Sequence, residues 1–301
     1  MLWTEKYRPE TIKQVMGNES FVEDAKNWIE SDVIPNLLLH GPAGTGKTSA
    51  GIALAKDILK EDYKINFLEI NASDDRKLET VRTKIKEFAA TGMMGNAPYK
   101  ICLLDEMEGM TVDAQSALKR IMERYHTNVR FIITCNDRNK IIYPIQSRCA
   151  SYFFKPLDAN VIAVTLERIL INEGIEIDPT NELSKFALSH RGDLRRAIGE
   201  LQAITAGGKA LSSLSKERNV KHKVLLENMI NRDNKALAKM QEMLFSGYSV
   251  KDICRGLHDV LIQGEYDSEV KYKFLRIIGE TEYRSNTMTP RIVVSWMIAQ
   301  I

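Results

Sequence analysis

With 301 residues, the chain is long enough to bury a substantial core and to divide into two or three domains. Its 42 Lys and Arg nearly balance 40 Asp and Glu, so a nucleic-acid partner must be met by a local basic face and not by a basic domain. The cysteines, Cys102, Cys135, Cys149 and Cys254, lack zinc-ligand spacing and suit a reducing compartment, and no apolar run approaches the about 20 residues of a membrane span.

The chain opens on Trp3-Thr4-Glu5-Lys6-Tyr7-Arg8-Pro9, where Pro9 prevents a plain helix. Two readings stand for this segment: a strap around an adenine base, through Tyr7, Arg8 and the turn Val15-Met16-Gly17, or an ordinary surface arm. A helix over Phe21 to Ser31 follows. The run Leu37 to Ser49 then matches the phosphate-binding pattern G-x-x-x-x-G-K-S/T through Gly41, Pro42, Ala43, Gly44, Thr45, Gly46, Lys47 and Thr48, with Ser49 next. Its glycines let backbone N–H groups curl around phosphate oxygens. Lys47 is placed to neutralise the β- and γ-phosphates, Thr48 can offer its hydroxyl to Mg²⁺, and the helix from Thr48 to Leu59 points its positive end at the anion.

A second buried strand spans Ile65 to Ile70, and Asn71-Ala72-Ser73-Asp74-Asp75-Arg76 leads into a helix with Leu78, Val81, Ile85 and Phe88 on one face. Its other face carries Glu79, Arg82 and Lys86, with Arg76 near the start. The loop Met93 to Pro98 reads either as a protein-docking tip or as a loop tucked on its own core. Tyr99 to Leu104 is an apolar strand closing on Asp105-Glu106. Downstream of a phosphate loop, that pair has the Walker B arrangement, with Asp105 at the Mg²⁺ shell and Glu106 orienting and deprotonating the attacking water. Thr111 caps a helix whose apolar stripe runs from Ala114 to Tyr125, with Lys119, Arg120 and Arg124 elsewhere on it. The strand Val129 to Thr134 ends in Cys135-Asn136, which puts Asn136 at the sheet edge where ligands bind, as a sensor of the γ-phosphate. A helical segment ends at Ile145-Gln146-Ser147-Arg148-Cys149, and Tyr152 to Phe154 is the last strand. Strand and helix alternate over residues 1–154, which predicts an α/β domain with a mainly parallel sheet.

Residues 155–218 read as a small helical domain with helices at Ala159 to Glu173, Asn181 to Ser189 and Leu194 to Thr205. Gly207-Gly208-Lys209 and the Ser/Lys-rich run through Lys216 mark a flexible connection. Amphipathic helices at Lys235 to Phe245, Val250 to Ile262, Ser268 to Tyr283 and Pro290 to Ile301 fill a third domain, 219–301, whose role the residues alone leave open.

Six motifs in this order and spacing, Trp-Thr-Glu-Lys-Tyr-Arg-Pro, Gly-Pro-Ala-Gly-Thr-Gly-Lys-Thr, Leu-Leu-Asp-Glu, Thr-Cys-Asn, Ser-Arg-Cys and Gly-Asp-Leu-Arg-Arg-Ala, resemble the small subunit of replication factor C, the AAA+ sliding-clamp loader of archaea and eukaryotes. The similarity runs through essentially the whole chain. It implies an AAA+ domain, a helical lid and a collar that closes a five-subunit ring with the large subunit and other small subunits. ATP and Mg²⁺ are the implied cofactors, the sliding clamp and primer-template DNA the implied partners, and no membrane is involved. The implied location is cytoplasmic, or nuclear in a eukaryote.

Residue by residue, the resemblance makes Arg148 the arginine finger for a neighbour's nucleotide and Arg195, in Gly192-Asp193-Leu194-Arg195, the second sensor acting in cis. It makes Asn71 a restraint on the catalytic glutamate, and Arg76, Arg82 and Arg120 contacts to DNA phosphates. Ala43 replaces a more usual proline, and Met107-Glu108 stand where Ala-Asp is common. Two alternatives remain: another AAA+ motor, such as a branch-migration helicase, and a non-hydrolysing ring subunit.

Overall fold

A computed structural model describes residues 1–72, 78–93, 95–175, 181–206 and 211–301, with the side chains of 78–82, 181–182, 211–220 and 263 left aside. The chain divides into two compact units, Met1–Gly208 and Lys209–Ile301.

Unit one is built on strands β1 (Leu37–His40), β2 (Phe67–Asn71), β3 (Lys100–Asp105), β4 (Val129–Cys135) and β5 (Ala150–Phe153). They form one five-stranded sheet in the order β2-β3-β4-β1-β5, with every neighbouring pair parallel. Parallel strands need crossovers, and these are helical. In chain order the helices are α1 (Trp3–Lys6), α2 (Glu19–Ser31), α3 (Lys47–Leu59), α4 (Tyr63–Asn66), α5 (Leu78–Ala90), α6 (Val112–Arg124), α7 (Tyr143–Gln146), α8 (Ala159–Asn172), α9 (Asn181–Ser189) and α10 (Leu194–Ala206).

Strand alternation divides the core. Leu37 and Leu39 of β1, with Ile101 and Leu103 of β3 and Ile132 of β4, join the cluster around α2 and α3. Their neighbours Leu38, Cys102, Leu104, Phe131 and Ile133 project to the other side, into the cluster around α5 and α6. Both faces are therefore apolar, which is why these strands read as continuous hydrophobic runs and not as alternating ones.

Some boundaries differ from expectation. β2 begins at Phe67, not Ile65, because α4 takes the preceding residues and leaves Ile65 half exposed, at 52%. β5 begins at Ala150, where its N–H donates to the Asn36 carbonyl, and Phe154 follows the strand. The arm holds one helical turn, α1, which ends before Pro9.

Unit two contains α11 (Leu211–Ile230), α12 (Lys235–Phe245), α13 (Val250–Gln263), α14 (Ser268–Arg284) and α15 (Pro290–Ala299), packed around one apolar cluster that includes Met240, Leu257, Phe274 and Met297. A reciprocal capping box between Ser249 and Asp252 opens α13. The run through Lys216, expected as a flexible connection, lies from Leu211 onward in helix. The stretch from Leu211 to Ile230 holds neither Gly nor Pro, and Lys, Leu and Glu favour helix, so a Ser-rich start does not break it. Gly207, Gly208 and Lys209 lie outside the described residues.

Candidate active site

Register brings the site together. β3 pairs with β4 through Leu104 and Ile133, so Asp105 emerges beside Thr134, and β1 pairs with β4 through His40 and Cys135. Gly41, just past β1, donates its N–H to the Cys135 carbonyl at 3.2 Å. The phosphate loop, the Asp105-Glu106 pair and Asn136 therefore meet at the carboxyl edge of the three central strands, where ligands of open α/β sheets bind.

The loop after β1 turns through left-handed conformations at Gly44 (φ 75°) and Gly46 (φ 90°), the latter capping α3. Side chains with a Cβ resist that region. Lys47 is 7% exposed, and its ammonium donates to the carbonyls of Gly41 (2.8 Å) and Pro42 (2.7 Å) and to Oδ1 of Asn136 (3.1 Å). Burial pushes its pKa below the ordinary lysine range. The Glu108 carboxylate leads the charges that oppose this, ahead of Cys135 and Asp105, while Arg195 adds to the depression.

Thr48 donates its hydroxyl to Asp105 Oδ1 at 2.7 Å, and the buried Thr134 hydroxyl donates to the same oxygen while accepting the Glu106 N–H at 3.2 Å. A hydroxyl beside a carboxylate is a hard-oxygen donor pair, and that chemistry fits Mg²⁺, which takes few protein ligands and completes its shell with water and phosphate. Glu106 itself is exposed and holds a left-handed backbone (φ 52°, ψ 45°), strain of the kind that persists where surroundings fix an active residue. Asn71 closes β2 opposite Asp105, one residue before Glu106.

A cleft of about 480 Å³ gathers these groups. Its floor is the loop from Ala43 to Ser49 with Asp105, Glu106 and Asn136. Tyr7, Arg8 and Val15 of the arm form one wall, and Arg195 of α10 closes over it with Arg168 and Ile169 of α8. Gly41 and Pro42 stand behind the floor as acceptors for Lys47. The arm is tied to the helices that follow the sheet: Tyr7 and Lys6 both donate to Glu173 at 2.7 Å, and the Trp3 N–H donates to Gln202 at 2.9 Å. The arm thus lines the cleft while held to the end of α8 and to α10.

Arg148 stands apart. It follows α7, outside the cleft, and its guanidinium donates to the Pro144 carbonyl at 2.6 Å and to Glu123 of α6. Arg120 is exposed on α6 and lines a depression of about 410 Å³ with Lys86 and Arg124, where Asp113 is the one acidic residue of the lining. Arg82 belongs to α5 with its side chain outside the described residues, and Arg76 lies outside them altogether. Among the described residues, no helix is long and apolar enough to cross a membrane.

Four contributors have no role assigned from sequence: Glu108 beneath Asn136, Thr134 between the Asp105 carboxylate and the Glu106 N–H, Asp193 against Gly44, and Glu173 anchoring the arm. Thr134 and Asp193 stand inside two of the quoted motifs, Thr-Cys-Asn and Gly-Asp-Leu-Arg-Arg-Ala, and Glu108 is a departure from a motif's usual residues, whereas Glu173 has no local signal.

The comparisons decide the family. Residues 37–157 match the model of the ATPase family associated with various cellular activities, and residues 220–292 match the replication factor C C-terminal domain. A replication factor C small subunit of Methanocella arvoryzae is 37% identical over 99% of this chain and 95% of its own. One from Staphylothermus marinus is 39% identical over 94% and 89%. The chain belongs to the replication factor C small-subunit family. It is accordingly an AAA+ clamp-loader ATPase subunit, and its ATPase domain binds nucleotide. Among solved structures, the Thermotoga maritima RuvB Holliday junction branch migration motor superposes with a TM-score of 0.60 over 74% of this chain and 79% of its own, at 15% identity. That likeness is one of fold, and the branch-migration alternative is not favoured.

Proposed function

We propose that this replication factor C subunit binds ATP and Mg²⁺ in the cleft beneath Arg195 and hydrolyses ATP only when a neighbouring subunit supplies an arginine equivalent to Arg148. The observation that carries the reading is the separation itself. Lys47, Thr48, Asp105, Glu106 and Asn136 share one cleft, while Arg148 projects elsewhere on the surface.

Within the cleft, Lys47 and the loop N–H groups hold the phosphates, and Thr48 and Asp105 hold Mg²⁺. The metal, when bound, neutralises charge on the β- and γ-phosphate oxygens. Glu106 takes a proton from the attacking water, Asn136 and Arg195 stand at the γ-phosphate, and Tyr7, Arg8 and Val15 enclose the adenine side. Asn71 restrains Glu106 until DNA arrives.

The chain works in a five-subunit ring with the large subunit and other small subunits, and ATP at the interfaces opens the sliding clamp and fits it to primer-template DNA. Arg76, Arg82 and Arg120 follow DNA phosphates without reading bases, and the basic surroundings of Arg120 support this. Hydrolysis then releases the clamp. Nucleotide domain, lid and collar follow one another along the chain with the first boundary at 154; the second, expected at 218, falls within α11, and the two compact units divide after Gly208 instead. The setting is the cytoplasm, or the nucleus in a eukaryotic host.

The test is ATPase activity of the complex assembled with its partner subunits, with and without clamp and primed DNA. Stimulation by both, and a loss of about 10³-fold or more in Arg148→Ala, is expected. A rate indifferent to clamp, DNA and Arg148 overturns the reading.

A further inference from the structure

Asn136 is gripped from both sides. Its backbone N–H and its Nδ2 both donate to Glu108 Oε1, at 2.9 and 2.7 Å, and on the opposite side its Oδ1 accepts from Lys47 at 3.1 Å. A carboxylate only accepts and an ammonium only donates. Turning the amide over would therefore set oxygen against the Glu108 oxygen and NH₂ against the Lys47 ammonium. Glu108 and Lys47 together select one of two otherwise equal amide orientations.

Glu108 gives up its own stability to do this. It sits in the short 3₁₀ turn Met107–Gly109 that follows the strained Glu106, and its second oxygen, Oε2, is buried without a hydrogen-bond partner. A buried carboxylate oxygen left unpaired costs free energy, so the placement is not explained by stability alone. The same carboxylate is the foremost charge sustaining the Lys47 ammonium against burial, which places it within electrostatic reach of the phosphate end of the cleft.

We propose that Glu108 is the positioning residue that fixes the amide of Asn136 for ATP hydrolysis. Its hydrogen bonds go to Asn136. It holds the Asn136 amide NH₂ on its own carboxylate and the Asn136 carbonyl oxygen toward Lys47. The proposal rests on hydrolysis in this cleft, so a wild-type complex without ATPase activity would refute that reading and not this one.

The experiment compares Glu108→Ala, Glu108→Gln, Asn136→Ala and the double alanine variant, as steady-state ATPase of the assembled complex and as nucleotide binding by the full chain. Glu108→Ala removes two charge-assisted hydrogen bonds and is expected to lower kcat by about tenfold or more, with KM changed less than about threefold. Gln retains an acceptor at the same reach, so Glu108→Gln is expected to recover most of that loss. Because Glu108 acts through Asn136, the double variant should be no slower than Asn136→Ala. Multiplying losses would show independent roles and overturn the proposal, as would wild-type kcat in Glu108→Ala. Equal failure of the Ala and Gln variants, with a lowered Tm and weakened nucleotide binding in both, would show a merely structural carboxylate and overturn it too.

Discussion

The carboxylate of Asp193 occupies the space that a side chain on Gly44 would need: a Cβ built there would lie 1.8 Å from Asp193 Oδ1. The same oxygen accepts the Arg196 N–H at 2.9 Å, and the Leu194 N–H donates to the Gly44 carbonyl at 3.2 Å. The first turn of α10 is thus docked on the phosphate loop, and Arg195 reaches the cleft from that turn. Gly44→Ala should force them apart, beyond the about 1–2 kcal/mol a left-handed alanine costs by itself. Nucleotide affinity is expected to fall about tenfold or more. Combining it with Asp193→Ala should restore part of that loss, although the missing cap costs the helix about 1 kcal/mol. Fluorescent-nucleotide titration of the three variants checks this, and equal affinity in wild type and Gly44→Ala would refute the docking argument.

Thr134 is 1% exposed and serves both acidic residues, donating to Asp105 and accepting from the Glu106 N–H. Thr134→Val keeps the shape and removes both bonds, leaving the Glu106 N–H without this acceptor and Asp105 Oδ1 with Thr48 but one donor fewer. A stability loss of about 1–3 kcal/mol is expected from chemical denaturation, with a fall in kcat as the two carboxylates lose register. Thr134→Ser, which keeps the hydroxyl, should retain activity. If Val and Ser behave alike, the hydroxyl is not what holds the pair.

These two contacts also mark where sequence reading stops. Lys47, Thr48, Asp105 and Glu106 were legible because each motif is a local spacing that its backbone conformation demands, and the parallel sheet because buried strands leave apolar runs between helical ones. Arg195 and Arg148 needed the family resemblance, since a lone arginine has no local signature. Glu108 meets Asn136 across 28 residues and Tyr7 meets Glu173 across 166, pairings that only the register and the lid create. α11 is hidden for a different reason: a Ser- and Lys-rich start resembles a linker in composition, while the helix is held by helix-favouring residues and by Leu225, Leu226 and Met229 packed in the core.

Lys47 ties nucleotide affinity to pH. Burial, opposed first by Glu108, sets its pKa in the folded protein below the ordinary 10.5. A bound polyphosphate favours the ammonium and raises that pKa, so between the two values binding takes up a proton. Affinity should be flat below the free protein's value and fall as pH rises through it toward the bound value. Calorimetry in buffers of different ionisation enthalpy, at alkaline pH, checks this. Proton release on binding, or affinity that climbs in that range, would contradict the sign. Lys47→Arg, which does not titrate there, should flatten the profile whatever its affinity.

Arg148 and Glu123 offer the cleanest separation of stability from activity. The pair is solvent-exposed, with side-chain exposures of 34% and 44%, and Lys119 lies 3.8 Å from the same carboxylate. Exposed ion pairs contribute about 0–1 kcal/mol, so Glu123→Ala and Arg148→Ala should each leave the Tm of the isolated chain almost unchanged. Their effects on the assembled ATPase should diverge. On the proposed function, Arg148→Ala removes the charge offered to a neighbour's nucleotide, whereas Glu123→Ala only frees the guanidinium from its own subunit. The expected result is a large loss for the first and an unchanged or faster rate for the second. A loss in Glu123→Ala as deep as that in Arg148→Ala would mean the ion pair holds the finger in its working position and does not merely park it.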